Sequence, residues 1–274
     1  MNNLKNKIAL VTGSAKNLGR AIALDLAKQG AKIIVHYQTS KQEEEKTLDE
    51  VKIYSEGIIV KADLTREKEV FNLFQTVKKE MGSVNILVNM IGNFIFEPIT
   101  STTFPKFKDV IESNLYSTFL CCQQALPHMQ KNKWGRIINF GCVGADNLTI
   151  REKTTPYYIA KTGVIMLTKV LAYEYAKGSF LNKPDDYLGI RPFVARPKCQ
   201  SSFEARPKYG VTINSISPGI LQTSVAKPKT PSGKLAQFED IINAINFLLK
   251  DESNYINGAN LEVAGGWRPG YSGL

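Results

Sequence analysis

"KIALVTGSAKNLGRAIA", residues 7–23, joins an apolar run to a turn of small residues and then to a helical pattern. The run Ile8 to Val11 has no alternating polar residue, which is the signature of a strand buried on both faces. Gly13 and Gly19 fall where the backbone must turn sharply and let a ligand approach closely. The helix that follows begins with N–H groups that have no acceptor inside the helix, which makes a ready anion site. The middle position, a glycine in many such loops, is Asn17, a residue that tolerates a left-handed backbone. A strand, a glycine turn and a helix in this order read as the first βα unit of a dinucleotide-binding sheet, with the pyrophosphate as the anion.

Working outward, strand-like runs alternate with helix-length segments: AKIIVHY, a helix from about Lys41, GIIVKAD, a helix from about Arg66, and VNILVN. That alternation predicts βαβ units and a parallel sheet. A long helix from about Phe104 to Gln130, the strand GRIINF and a helix from about Thr155 to Lys177 follow. After VTINSISPG come a helix from about Phe238 to Leu249, the strand ANLEVA and the Gly-rich tail GGWRPGYSGL. The expected architecture is a Rossmann-like, doubly wound α/β fold with about seven strands. A chain of 274 residues, 43% of them hydrophobic, suits one such domain better than two small ones, so residues 1–274 read as a single domain.

Residues 178–208 interrupt this pattern with four prolines and neither helical nor strand periodicity. A structureless loop of 31 residues is unusual inside a compact domain. Within it Phe193-Val-Ala-Arg-Pro-Lys198 is echoed by Phe203-Glu-Ala-Arg-Pro-Lys208. The segment reads as an irregular insertion between a helix and the next strand. Ligands bind at the strand-to-helix ends of such sheets, so this helix-to-strand excursion is expected to point away from the site.

No stretch near the start reads as a secretory leader, and no run approaches the roughly 18 apolar residues of a membrane span, so a cytoplasmic protein is expected. Cys121, Cys122, Cys142 and Cys199 form no CxxC and have no histidine at ligand spacing. Neither a zinc site nor a disulfide framework is indicated, and no metal is expected. His36 and His128 are far apart, and neither has a catalytic partner visible in the sequence. The net charge of +10 is dispersed and no nucleic-acid motif accompanies it. Nucleic acid is therefore not an expected partner, whereas an anionic cofactor or an acidic protein partner suits the charge.

Dinucleotide selectivity is commonly set at the end of the second strand, where NAD sites place Asp or Glu on the ribose hydroxyls. Here that end reads His36-Tyr37-Gln38-Thr39-Ser40-Lys41, without an acid, and Lys16 stands in the glycine loop. Cations and hydroxyls accommodate a 2′-phosphate, so NADP(H) is expected, with Tyr37 and Ser40 at the site. The alternative is that Lys16 and Lys41 are ordinary solvated side chains.

Tyr157 and Lys161 stand at i and i+4, on one helix face. Reducing a carbonyl needs a hydride at carbon and a proton for the developing alkoxide. A tyrosine, with an unperturbed pKa of about 10, becomes a better acid–base group beside a cation. Together with Thr12-Gly13 through Gly19, Asp63 in KADLT, Asn89 and Gly92 in VNMIG, Asn114 in ESNLYST, and Pro218-Gly219 with Thr223, this pair resembles the short-chain dehydrogenase/reductase family. The likeness is greater to its 3-oxoacyl-(acyl carrier protein) reductase-like members, and covers nearly all the chain except 178–208.

The resemblance implies an NADPH-dependent carbonyl reductase of fatty acid biosynthesis type, forming homotetramers through its long helices. It implies Tyr157 as proton donor, Lys161 as its activator and a ribose ligand, and Asn114 as holder of a water linking Lys161 to solvent. On physics alone a mid-helix Asn is as well read as an interhelical hydrogen bond. The cofactor contacts it implies in the first loop are Gly13, Ser14, Lys16, Asn17, Leu18 and Gly19. Further along they are Asp63 at the adenine with Leu64 beside it, Asn89 and Gly92, and Pro218, Gly219 and Thr223 at the nicotinamide amide. Tyr158, at the wrong spacing, reads as packing.

Two departures from the family pattern stand out. Cys142, in INFGCVG, occupies the place of the serine that hydrogen-bonds the substrate carbonyl, and a thiol is a weak donor. Thr149 is too displaced to replace it. Losing such a donor costs on the order of a hundredfold in rate where it stabilises an oxyanion. The segment SVAKPKTPSGKLAQ is shorter than the family's usual lid, which implies a more open site. Three functions follow: a 3-oxoacyl thioester reductase, a pteridine or other small-carbonyl reductase, and a catalytically weak NADP-binding regulator or scaffold.

Overall fold

The computed structural model describes residues 3–39, 41–176, 210–224, 227 and 229–269, without the side chain of Lys41. Ser40, the insertion expected at 178–208 and Cys199 lie outside the described residues. The elements run β1 (Ile8–Val11), α1 (Asn17–Lys28), β2 (Lys32–Tyr37), α2 (Lys41–Lys52), β3 (Gly57–Lys61), α3 (Glu67–Glu80) and β4 (Ile86–Asn89). They continue with α4 (Phe104–Ile111), α5 (Ser117–Lys131), β5 (Gly135–Phe140), α6 (Thr155–Ala176), β6 (Val211–Pro218), α7 (Phe238–Leu249) and β7 (Asn260–Val263).

The seven strands form one sheet in the order β3-β2-β1-β4-β5-β6-β7, and every pairing is parallel. The doubly wound α/β fold read from the alternation is the fold found. Every residue of β1, β4 and β5 is buried, because helices cover both faces of the sheet. On one face Leu18, Ile22 and Leu26 of α1 pack with Ile241, Ile245 and Leu248 of α7. On the other, Val70, Leu73 and Val77 of α3 pack with Leu126 and both adjacent cysteines of α5. Cys121 and Cys122 are thus core residues, and burial pushes both thiols upward, that of Cys122 to about 12. The winding direction reverses between β1 and β4, so the loops after these strands bound the crevice where such folds bind ligands.

The helix expected from Phe104 to Gln130 is interrupted. Residues Glu112–Tyr116 form a π-turn between α4 and α5, and Ser113 and Asn114 are buried in it. An inserted residue of this kind re-aims side chains without ending the helix, and occurs often at functional sites. Among the described residues no helix is long and apolar enough to cross a membrane.

At the end of the sheet where the strands begin, a buried cation closes the fold. Arg136, fully buried on β5, donates to the carbonyls of Gly135 (2.9 Å) and Gly210 (2.7 Å) and to Asp251 Oδ1 (2.9 Å). The Trp134 indole N–H donates to the same Asp251 oxygen, and its ring lies between Lys7 Nζ, 3.8 Å from the centroid, and the Arg136 guanidinium, at 4.7 Å. Gly210 directly precedes β6, so Arg136 pins the point where the chain re-enters the sheet. Arg136→Ala removes three hydrogen bonds and one cation–π contact and is expected to lower the unfolding free energy by about 2–4 kcal/mol in urea titration. Arg136→Met, which keeps the apolar stem, is expected to lose less.

Candidate active site

The first loop has the shape its glycines require. Gly13 has φ +70° and Asn17 φ +51°, so Asn17 takes the left-handed backbone that its small polar side chain tolerates. A Cβ on Gly19 would lie 2.3 Å from the Gly13 carbonyl oxygen, so only glycine allows α1 to start this close to the turn. Lys16 caps α1 without a side-chain hydrogen bond, and the first turn holds no acid. An anion placed there meets unpaired N–H groups and the positive end of the helix, an arrangement that fits a pyrophosphate. Thr47 of α2 braces the loop by donating to the Ala15 carbonyl at 3.0 Å. Ser14 and Leu18, by contrast, turn inward: Ser14 is fully buried with Oγ accepting the His36 N–H at 3.0 Å, and Leu18 joins the core. Any contact from these two to a ligand is made by backbone.

Three strand ends meet at His36, which is fully buried. Its Nδ1 accepts the Gly13 N–H at 3.3 Å, and its Nε2 faces the Ala62 carbonyl at 3.0 Å. Burial holds the imidazole well below its usual value, at about 4, against the opposing pull of the Ala62 carbonyl and of Asp63. Tyr37, next along β2, is half-buried, and Gln38 and Thr39 are exposed. The Asp63 carboxylate accepts the Thr65 N–H (3.0 Å) and hydroxyl (2.7 Å) on one oxygen and Arg66 Nε (3.3 Å) on the other. Partial burial works against its charge, but these bonds outweigh it and hold the carboxyl below the usual range. Leu64 is buried against α3 and faces the core. Glu44 of α2 is an acid that the end of β2 does not advertise. It is buried, which pushes its carboxyl up, while Lys16 of the glycine loop pulls it back down.

After β4 the Asn89 side chain points into the sheet rather than toward the crevice. Its Nδ2 donates to Asn139 Oδ1 at 2.9 Å, and Asn139 in turn donates to Thr168 Oγ1 at 2.9 Å, a buried chain linking β4, β5 and α6. Gly92 is required by Asn114: a Cβ there would lie 1.9 Å from Asn114 Oδ1. Asn114 Nδ2 donates to the carbonyls of Asn93 and Val110, both at 2.9 Å, so the residue clamps the post-β4 loop to the π-turn. Its Oδ1 is buried without a partner among the described residues. The reading of Asn114 as a hydrogen bond between elements therefore describes what its side chain does here.

The first turns of α6 bring Tyr157 and Lys161 to the end of β5. Lys161 Nζ donates to the Phe140 carbonyl at 2.9 Å and lies 5.4 Å from the centroid of the Tyr157 ring. Burial lowers the ammonium to about 8 and pushes the Tyr157 phenol up. Lys161 thus stands beside the ring, with its proton on a backbone carbonyl rather than on the phenol. Cys142 packs with Tyr157 against Ala145, Tyr158 and Ile165. Burial raises the Cys142 thiol, so it stays neutral. Tyr158 is buried and donates to the Val143 carbonyl at 2.9 Å, a packing role. Thr149 is held against Gly144, accepting nothing from Cys142. Phe94, half exposed, meets the Tyr157 ring edge-on with centroids 5.1 Å apart.

Pro218 and Gly219 end β6 at the same edge, with the Gly219 N–H on the Val263 carbonyl, and Thr223 is exposed. A cavity of about 270 Å³ beside them is lined by Ile220, Leu235 and Val263, with Lys234 and Asp240 at its wall. Of the lid segment, Val225, Ala226 and Pro228 lie outside the described residues. Glu262 of β7 accepts the Gly144 N–H at 3.1 Å and pairs with Arg268, so the C-terminal segment supports the Cys142 loop. Among the described residues no group of three or more His, Cys, Asp or Glu side chains could hold a metal ion. Sequence reading missed His36, Glu44 and Phe94; a charged or polar side chain inside an apolar strand was the available signal for His36.

A family model described as short chain dehydrogenase matches residues 7–179, and one described as Enoyl-(Acyl carrier protein) reductase matches residues 203–268. A 3-oxoacyl-[acyl-carrier-protein] reductase of Staphylococcus epidermidis is 29% identical over 274 residues, covering 95% of this chain and 98% of that protein. The Escherichia coli protein of the same description is also 29% identical, covering 96% and 98%. A solved chain from Agrobacterium tumefaciens, provisionally described as a gluconate dehydrogenase, superposes with a TM-score of 0.80 at 27% identity, covering 96% of both chains. A chain from Sinorhizobium meliloti at 22% identity and a TM-score of 0.78 shares the fold. With a model match over more than half its length, on a seven-stranded parallel sheet, the chain belongs to the short-chain dehydrogenase family.

Proposed function

We propose that this oxidoreductase is an NADPH-dependent carbonyl reductase that converts 3-oxoacyl thioesters to 3-hydroxyacyl thioesters. The observation that carries the reading is the grouping of Tyr157, Lys161 and Cys142 at the end of β5. The two relatives described as 3-oxoacyl-[acyl-carrier-protein] reductases, matched over nearly their whole length, support the substrate class. The nicotinamide supplies the hydride when bound. Tyr157, kept protonated by burial, gives its phenolic proton to the carbonyl oxygen as the carbon is reduced. Lys161 places a buried positive charge beside that ring. The Cys142 thiol offers the carbonyl only a weak contact.

NADPH is favoured by Lys16 at the glycine loop and by the absence of an acid among Tyr37, Gln38 and Thr39. The net charge of +10 suits an acidic carrier protein. Self-association is supported by the exposed apolar side chains Phe104, Tyr116 and Phe119 beside the π-turn and Met166 and Val170 on α6, and a homotetramer is proposed. A second reading rests on Phe94: its half-exposed ring beside Tyr157 favours a flat substrate of pteridine type.

The test is NADPH oxidation with a panel of 3-oxoacyl thioesters and pteridines. Tyr157→Phe is expected to lower kcat by about 10²–10⁴-fold while leaving NADPH affinity intact, because it removes only the transferable proton. Cys142→Ser is expected to raise kcat/KM by roughly tenfold or more, since a hydroxyl is the better donor. Turnover unaffected by Tyr157→Phe sinks the mechanism, and NADPH binding without turnover points instead to a regulator. The pH profile adds a separate check. As pH rises through about 8 the Lys161 ammonium loses its charge, so kcat/KM of the parent is expected to fall on the alkaline side of that value. A profile flat to about pH 10 would count against a role for that charge.

A further inference from the structure

We infer that His36 is a positioning residue for nucleotide binding: through Nδ1 it fixes the Gly13 amide, and with it the shape of the phosphate loop. The inference deepens the proposed function and rests on the reading of the first loop as a dinucleotide site. The geometry determines the tautomer without further assumption. A backbone N–H can only donate, so Nδ1, 3.3 Å from the Gly13 nitrogen, carries the lone pair. A backbone carbonyl can only accept, so Nε2, 3.0 Å from the Ala62 oxygen, carries the proton. A cationic ring would set an N–H against the Gly13 N–H, and the depressed basicity of the buried ring agrees with an imidazole that is neutral around pH 7.

The contact is reciprocal. The His36 N–H donates to Ser14 Oγ at 3.0 Å while Gly13 donates to the His36 ring, so the end of β2 grips two successive residues of the loop. Gly13 is where the chain adopts φ +70°, and its carbonyl packs where a side chain on Gly19 would otherwise stand. Turning the Gly13 amide inward thus sets the path by which the loop reaches the first N–H groups of α1. From the other side of the ring, the Ala62 bond ties the same imidazole to the segment that carries Asp63. One neutral side chain therefore joins the pyrophosphate side of the crevice to the strand end beside it. None of this requires His36 to touch the nucleotide.

Two substitutions separate the two ring contacts. In His36→Asn the amide oxygen occupies the Nδ1 position and can accept from Gly13, but nothing reaches Ala62. In His36→Gln the terminal amide N–H reaches toward Ala62, but no acceptor faces Gly13. The readouts are hydrogen exchange at the Gly13 amide in the nucleotide-free protein, NADPH affinity by fluorescence titration, and melting temperature. His36→Asn is expected to keep the Gly13 amide protected and NADPH binding within about threefold of the parent, even with a lower melting temperature. His36→Gln is expected to expose that amide and weaken NADPH binding by about five- to tenfold, the size of one lost hydrogen bond. Equal loss of affinity in both variants, tracking their melting temperatures, overturns the inference, as does a His36→Gln variant that binds like the parent. A parent that binds neither NADPH nor NADH overturns the proposed function and this inference together. Intact parental binding with an unprotected Gly13 amide overturns the inference alone.

Discussion

Thr12 Oγ1 accepts the N–H groups of both Met90 (2.9 Å) and Ile91 (3.3 Å), and this bond spans the point where the sheet reverses its winding. Everything the crevice does depends on β1 and β4 ending together, because the loops they release wind to opposite faces. The same device recurs along the edge. His36 ties the β1 loop to β2 and β3, Asn93 donates to Ser113 Oγ at 3.0 Å, and Asn114 returns a bond to the Asn93 carbonyl. The Glu97 N–H meets the Lys153 carbonyl at 2.8 Å, and Glu262 takes the Gly144 N–H. Each strand-end loop is thus fastened to its neighbour by a backbone group on at least one side. Loops held in this way keep ligand-facing groups in place without a packed core above them.

Burial sets the charge state of this edge. The same low-dielectric surroundings that push Tyr157 up bring Lys161 down and keep His36 and Cys142 neutral. Burial keeps the Tyr157 phenol protonated but also makes its proton harder to give up, so a nearby positive charge has to offset that burial. The Lys161 ammonium bears a smaller desolvation penalty than an unpaired cation would, because the Phe140 carbonyl accepts one of its protons. The same ammonium lies 5.4 Å from the centroid of the Tyr157 ring.

The strands and helices themselves were legible because periodicity is local: the apolar run of β1 and the helical spacing of α7, whose ends match the expected Phe238 and Leu249, need no distant partner to be recognised. The π-turn at Glu112–Tyr116 was not, since its sequence is compatible with an uninterrupted helix. It coincides with the close fit of Asn114 against Gly92, residues 22 apart in the chain. His36 was equally opaque. Read alone it is a histidine without a partner, and its partners arrive from Gly13 and Ala62, one on each side of it in sequence. The inward turn of the Ser14 and Asn89 side chains has the same origin, and leaves only their backbone to face a ligand. A motif fixes which residue stands at a position, whereas the packing around it decides which way the side chain faces.

Cys142 illustrates how a weakened contact persists in a sound framework. The position is lined by Ala145, Ile165 and Tyr158, whose hydroxyl also meets the thiol, so the sulfur is held by packing and one weak polar contact. Burial that keeps the thiol protonated also denies it nucleophilic character. Tyr158 gives its proton to Val143 and Lys161 gives one to Phe140, so neither is placed to take a proton from the thiol. On the proposed reading, the exchange of oxygen for sulfur alters how strongly a carbonyl is polarised and leaves Tyr157 as the proton donor. On the same reading, selectivity shifts toward substrates that bring their own means of stabilising the developing oxyanion.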